Sequence, residues 1–138
     1  MKVNINQLIM ALESLAEWNS DEFFLDKKTG EILSAKVLSN YDPDRLGEIE
    51  TEADKFIAIK PMEPHESWQI MEDFLDTLER GEEKQTLEKA MLEGQPFVSF
   101  KNALAKVPHI RRQWFEFHRN RMNIIAKKWL AEHSIFIG

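Results

Sequence analysis

The chain has 138 residues and a mass of 16.2 kDa, with 43% apolar and 30% charged side chains, a balance that suits one globular domain folding without a metal or crosslink. It contains no cysteine, which excludes a disulfide scaffold, a cysteine zinc site and a thiol nucleophile. No apolar run approaches the roughly 18 residues of a membrane span, and the opening MKVNINQLIM is no secretory signal, so a cytoplasmic protein without a membrane partner is expected.

The net charge of −6 hides an asymmetry. Residues 1–93 hold 22 acidic and 10 basic side chains, a net of −12, whereas residues 94–138 hold 2 acidic and 8 basic, a net of +6. Either the two stretches pack on each other or the basic one meets an anionic partner. The acidic pI favours the first, because the whole chain repels a polyanion at long range.

Asn4 and Gln7 form a capping-box pattern, and apolar residues then recur at helical spacing from Ile5 to Ala16, predicting a helix over 5–17. FFLDKKTGEIL is two β-prone runs around a turn. Asp26 is placed to accept from the amides two and three residues on, and Gly30 to supply a positive φ. Strands are expected near 22–26 and 31–37. Residues 39–54 are acidic and turn-rich, reading as a mobile segment with at most one short helix. KFIAIK, closed by Pro61, reads as an edge strand over 55–60. Helices follow over 65–80, 84–93, 97–106 and 109–132, with Pro64, Pro96 and Pro108 at their starts and Gly81 and Gly94 at two of their ends. The expectation is one α+β domain over 1–138, with a three-stranded antiparallel sheet (hairpin plus one edge strand) packed against about five helices. Trp68, Phe74, Leu78, Phe100, Leu104, Trp114, Ile125 and Trp129 are expected in one core.

The order of these pieces resembles family 0158 of the UPF series of uncharacterised bacterial proteins. The hairpin FLDKKTGEIL, the strand closing in Pro61 and the helix with MEDF carry the likeness. So do Gly94 before Phe97, Phe100 and Lys101, then Trp114, Phe117 and Trp129-Leu130. Gln95-Pro96-Phe97-Val98-Ser99 departs from the family's Gly-Ala-Phe with two basic residues, and so removes positive charge there. The resemblance implies one domain in a bacterial cytoplasm and no particular chemistry.

The residues add little chemistry of their own. No glycine arrangement cradles a phosphate. No GxSxG is present, and the four histidines never fall at i, i+4. Asp42-x-Asp44 with Gly47 has the outline of a calcium loop, but Leu46 and Ala53 stand where oxygen ligands are needed. No metal or cofactor is expected. On the last helix Ile110, Trp114, Met122, Ile125 and Trp129 form an apolar arc. Arg111, His118 and Arg121 fall inside it, and Arg112, Arg119 and Lys127 lie opposite. A guanidinium in an apolar face needs a partner, so Arg111 or Arg121 is expected beside a carboxylate of residues 1–93, with Glu72 and Glu79 the first choices. Arg111, His118 and Arg121 are the candidate site for an anion or partner.

Three functions are compatible with these features. The first is a non-catalytic protein-interaction or regulatory module with a protein partner. The second is a nucleic-acid binder using Arg112, Arg119 and Lys127. The third is an enzyme acting on a small anionic substrate at Arg111, His118 and Arg121. The lack of a recognisable catalytic constellation favours the first.

Overall fold

In the computed structural model, residues 2–14 and 21–135 are described, and they form two compact units. One comprises residues 1–63 and 123–138, the other residues 64–122. The fold class is α+β, with a three-stranded antiparallel sheet and seven α-helices among the described residues.

The first unit opens with α1 (Ile5–Glu13), whose start is fixed by Asn4: its Oδ1 accepts from the amide of Gln7 at 3.1 Å. Leu8, Ala11 and Leu12 are buried along one stripe, as the spacing predicts. α1 stops at Glu13, short of the expected residue 17, because Ser14 turns to an extended conformation and its hydroxyl donates to the Ala11 carbonyl at 2.7 Å; residues 15–17 lie outside the described residues. β1 (Phe23–Asp26) is central, flanked by β2 (Ile32–Ser34) and β3 (Phe56–Ile59). Phe24 opposes Leu33 on β2, and Asp26 opposes Phe56 on β3. β3 is therefore an edge strand, as expected.

The hairpin turn follows from its sequence. Asp26 Oδ1 accepts from the amides of Lys28 (2.8 Å) and Thr29 (3.3 Å), and Gly30 adopts φ 80, a left-handed conformation that costs an L side chain about 1–2 kcal/mol.

Two expectations for the next stretch are corrected. β2 stops at Ser34 instead of running to 37, because Ser34 turns into a helix cap: its Oγ accepts from the amide of Val37 at 3.1 Å. Asp21 reinforces that cap, accepting from the Ser34 hydroxyl and, at 2.9 Å, from the Lys36 amide. Residues 39–54 are not an irregular segment. They lie mostly in α2 (Ala35–Tyr41), α3 (Pro43–Thr51) and a 3-10 turn (Ala53–Lys55). Asp42 caps α3 with Pro43 at its first position, so the pair that suggested a calcium loop is a helix start. Leu38 and Ile49 from these helices pack with Leu33, joined by Phe24, Leu46 and Phe56. These residues cover the sheet face that carries Phe24 and Leu33.

The second unit is helical: α4 (Pro64–Asp76), α5 (Glu82–Met91), α6 (Pro96–Ala105) and the first part of α7 (Pro108–Glu132). Each proline sits where its missing N–H is harmless. α4 ends earlier than expected, at Asp76, where the amides of Thr77 and Leu78 turn to the carbonyls of Phe74 (2.9 Å) and Leu75 (3.1 Å) and tighten the last turn. Gly94 is not the left-handed cap expected of it: α5 closes at Leu92 with ordinary helical dihedrals, and Gly30 is the positive-φ glycine among the described residues. The core gathers Met71, Phe74, Leu75, Leu87, Met91, Phe100, Leu104 and Ile110, with Trp68, Leu78 and Trp114 packed at its margin. Of the eight residues expected in one core, Phe74, Phe100 and Leu104 are buried there. Ile125 and Trp129 fall in the other unit and are half-buried. In the later part of α7 the buried side chains are Ala126 and Leu130, so one straight apolar arc does not describe a helix that serves two units in turn.

Candidate functional site

The sequence directs attention to the cations of α7. Arg121 Nη1 lies 2.6 Å from Asp73 Oδ2 on α4, and its guanidinium sits 5.2 Å from the Phe117 ring centroid. The Arg121 hydrogen bond, helped by one from the Gln69 amide at 2.8 Å, holds the Asp73 carboxyl below its usual range. The expected ion pair with residues 1–93 therefore exists. Its partner is neither Glu72 nor Glu79. Glu72 instead accepts from Trp68 Nε1 at 2.9 Å, and Glu79 lies beyond the end of α4.

The three residues of the candidate anion site are not brought together. Arg111 is exposed rather than set in an apolar face, with its guanidinium 5.0 Å above the ring of Phe115, itself 51% exposed. Ten residues of helix separate Arg111 from Arg121, or about 15 Å of rise, too far for one small anion to meet both. His118 lies against Trp114 with ring centroids 5.1 Å apart. Arg112, Arg119 and Lys127 are exposed as expected; Lys127 belongs to the other unit.

The cost of breaking the ion pair is set by its exposure. Arg121 and Asp73 keep 32% and 31% of their side-chain surface, and among the described residues no charged side chain is buried. The penalty of a stranded buried charge therefore does not apply. Arg121→Met is expected to lose about 1 kcal/mol in urea unfolding, and Arg112→Met less than about 0.5. Equal losses in both variants would mean that the 2.6 Å pair contributes nothing.

The opposed charges meet inside the second unit, which contains both the acidic α4 and α5 and the basic start of α7. His109 Nε2 stands 3.0 Å from Glu83 in the same unit. Among the described residues no cluster of three or more His, Asp or Glu could hold a metal ion.

One feature was not visible in the sequence. An open groove of about 390 Å³ lies between α4 and α5, lined by Trp68, Glu72, Leu75, Asp76, Lys84, Glu88, Met91 and Leu92. Leu75 and Met91 beneath it belong to the buried core, while Leu92 is 82% exposed. Glu72, Asp76 and Glu88 put three carboxylates on the rim against the single ammonium of Lys84. The only sequence signal was an apolar residue, Leu92, one step beyond the core stripe of α5.

No helix among the described residues is long and apolar enough to cross a membrane. No solved structure matches the chain. Its sequence is similar to the UPF0158 protein PA5073 of Pseudomonas aeruginosa, with 27% identity over 135 residues, covering 98% of this chain and 85% of that relative. The pattern of the uncharacterised protein family UPF0158 extends over residues 1–137, and the chain belongs to that family.

Proposed function

We propose that the protein is a non-catalytic interaction module of the bacterial cytoplasm, and that its groove between α4 and α5 takes a basic, amphipathic segment of a protein partner. The observation that supports this reading is the make-up of the groove. Three carboxylates around the exposed apolar side chain of Leu92 suit a helix with one apolar stripe and flanking Lys or Arg. An isolated exposed leucine is ordinary on a protein surface, but Leu92 lines the groove beside these carboxylates. The groove is open, so it supplies little of the enclosure that small-molecule chemistry uses.

The direct test is fluorescence anisotropy with a labelled 14-residue helical peptide carrying Leu at i, i+3, i+4 and i+7 and Arg at the flanking positions. Binding is expected at low salt and should weaken as salt screens the rim. Leu92→Glu and Glu88→Lys should each reduce affinity at least tenfold, about 1.4 kcal/mol. A peptide that binds both variants as well as the parent chain is not using the groove.

A second reading is favoured by one observation, the Arg111–Phe115 pair. An exposed aromatic beside exposed cations is the surface on which single-stranded bases stack. It predicts tight binding of a short single-stranded RNA that falls steeply with salt. No RNA binding at low salt is the outcome expected of the interaction module.

A further inference from the structure

The first part of α7 presents a surface of the chemistry that the groove calls for. Arg111, Arg112, Phe115 and Arg119 are all exposed. At roughly 100° per residue they share one face of the helix. Phe115 supplies the apolar anchor and the three guanidiniums flank it. From Arg111 to Arg119 this face is about 12 Å long, and the α4 side of the groove, from Trp68 to Asp76, spans the same eight residues of rise. Three cations thus face three carboxylates over matching lengths. Both surfaces belong to the second unit and both are open, so one cannot fill the other within a single chain.

We infer that a second copy of this chain docks its α7 face, through Phe115, Arg111, Arg112 and Arg119, into the α4–α5 groove. This inference rests on the reading of the groove as a site for basic amphipathic helices. Two copies can exchange the contact reciprocally, the α7 face of each in the groove of the other, and close a two-fold dimer, or pass it head to tail into a larger ring or an open chain. Self-association and partner binding then compete for the same groove. At high concentration the protein masks its own site, and a basic partner helix releases it.

The test is sedimentation velocity of the full chain, freed of nucleic acid, from about 5 to 200 μM. At low salt the weight-average mass is expected to climb above the 16.2 kDa of one chain, and to return towards it in 0.5 M salt as the charges are screened. Two charge reversals make the test specific: Asp76→Lys with Glu88→Lys on the rim, and Arg112→Glu with Arg119→Glu on α7. All four residues are exposed, and circular dichroism checks that each variant folds. Each double variant alone should associate at least tenfold more weakly. An equimolar mixture of the two should regain association, because every contact between unlike copies is again complementary. A parent chain that stays monomeric at 200 μM in low salt overturns the inference, as does a mixture that stays monomeric. The peptide measurement keeps the two claims apart. If the labelled peptide binds the groove while the chain stays monomeric, the groove is a partner site and only the second copy is wrong. If the peptide fails to bind, the groove reading itself falls.

Discussion

Phe74→Ala is expected to lower the unfolding free energy by about 4–5 kcal/mol, the largest loss of any single truncation proposed. Phe74 is 1% exposed, on the α4 stripe that also buries Met71 and Leu75. Its ring meets Trp114 edge-on at 5.3 Å and Phe117 at 5.4 Å, and Trp114 in turn meets Phe100 at 5.1 Å. Removing the ring forfeits its transfer energy and leaves a cavity that α4 and α7 can close only in part, about 3–5 kcal/mol together. That measured range already includes contacts such as the two aromatic ones lost here, which place Phe74 at its upper end. Phe115→Ala is the internal comparison. That ring is half-exposed and its loss should cost less than about 1 kcal/mol. Urea unfolding followed by tryptophan fluorescence measures both, since Trp114 reports directly on the ring it touches. A Phe74→Ala loss below 2 kcal/mol would mean that the aromatic cluster is not the centre of this unit's core.

Much of this architecture could be read locally. The hairpin was legible because its determinants, Asp26 and Gly30, lie within five residues of each other. The helix starts at Pro64, Pro96 and Pro108 were legible because a proline fixes its own φ. In residues 39–54 the Asp42-Pro43 start of α3 is local, a helix cap that also has the outline of a calcium loop, but other determinants lie elsewhere. Asp21 helps to cap α2 from fifteen residues away, and Arg45 is held by Asp26 and Glu31. Few of its residues are apolar, so periodicity had little to register. The ion pair on α7 shows another limit. Glu72 and Asp73 sit about equally far, on opposite sides, from the buried stripe of α4. Spacing alone cannot say along which flank α7 passes, and the structure puts it beside Asp73. Glu79 failed for a simpler reason, since α4 had already ended. The groove was illegible because it depends on how α4 and α5 pack, which no local pattern records.

The second large effect is expected at the hairpin, where one carboxylate serves three elements. Asp26 Oδ1 ties down the turn through the amides of Lys28 and Thr29, and Oδ2 accepts from Arg45 Nη2 of α3 at 2.9 Å. Its side chain is 13% exposed, and Arg45 is also 3.3 Å from Glu31 on the far side of the turn. Partial burial pushes the Asp26 carboxyl upwards, but the Lys28 amide, Arg45 and the Thr29 amide outweigh it and hold the carboxyl below its usual range. Charge-assisted bonds of this kind contribute about 1.5–3 kcal/mol. Asp26→Ala removes them all and should cost about 2–3 kcal/mol, whereas Asp26→Asn keeps the shape, loses the charge and should cost less. The pH dependence separates charge from shape. A carboxyl whose folded pKa lies below its unfolded value of about 3.9 stabilises the fold fully above that value. The contribution is lost as the pH falls through the folded pKa. The gap between the parent chain and Asp26→Asn should therefore stay constant from pH 8 to pH 5 and narrow below pH 4. A gap that persists unchanged at pH 2 would mean that the carboxylate charge is not what joins α3 to the hairpin, and that the loss came from altered hydrogen-bond geometry alone.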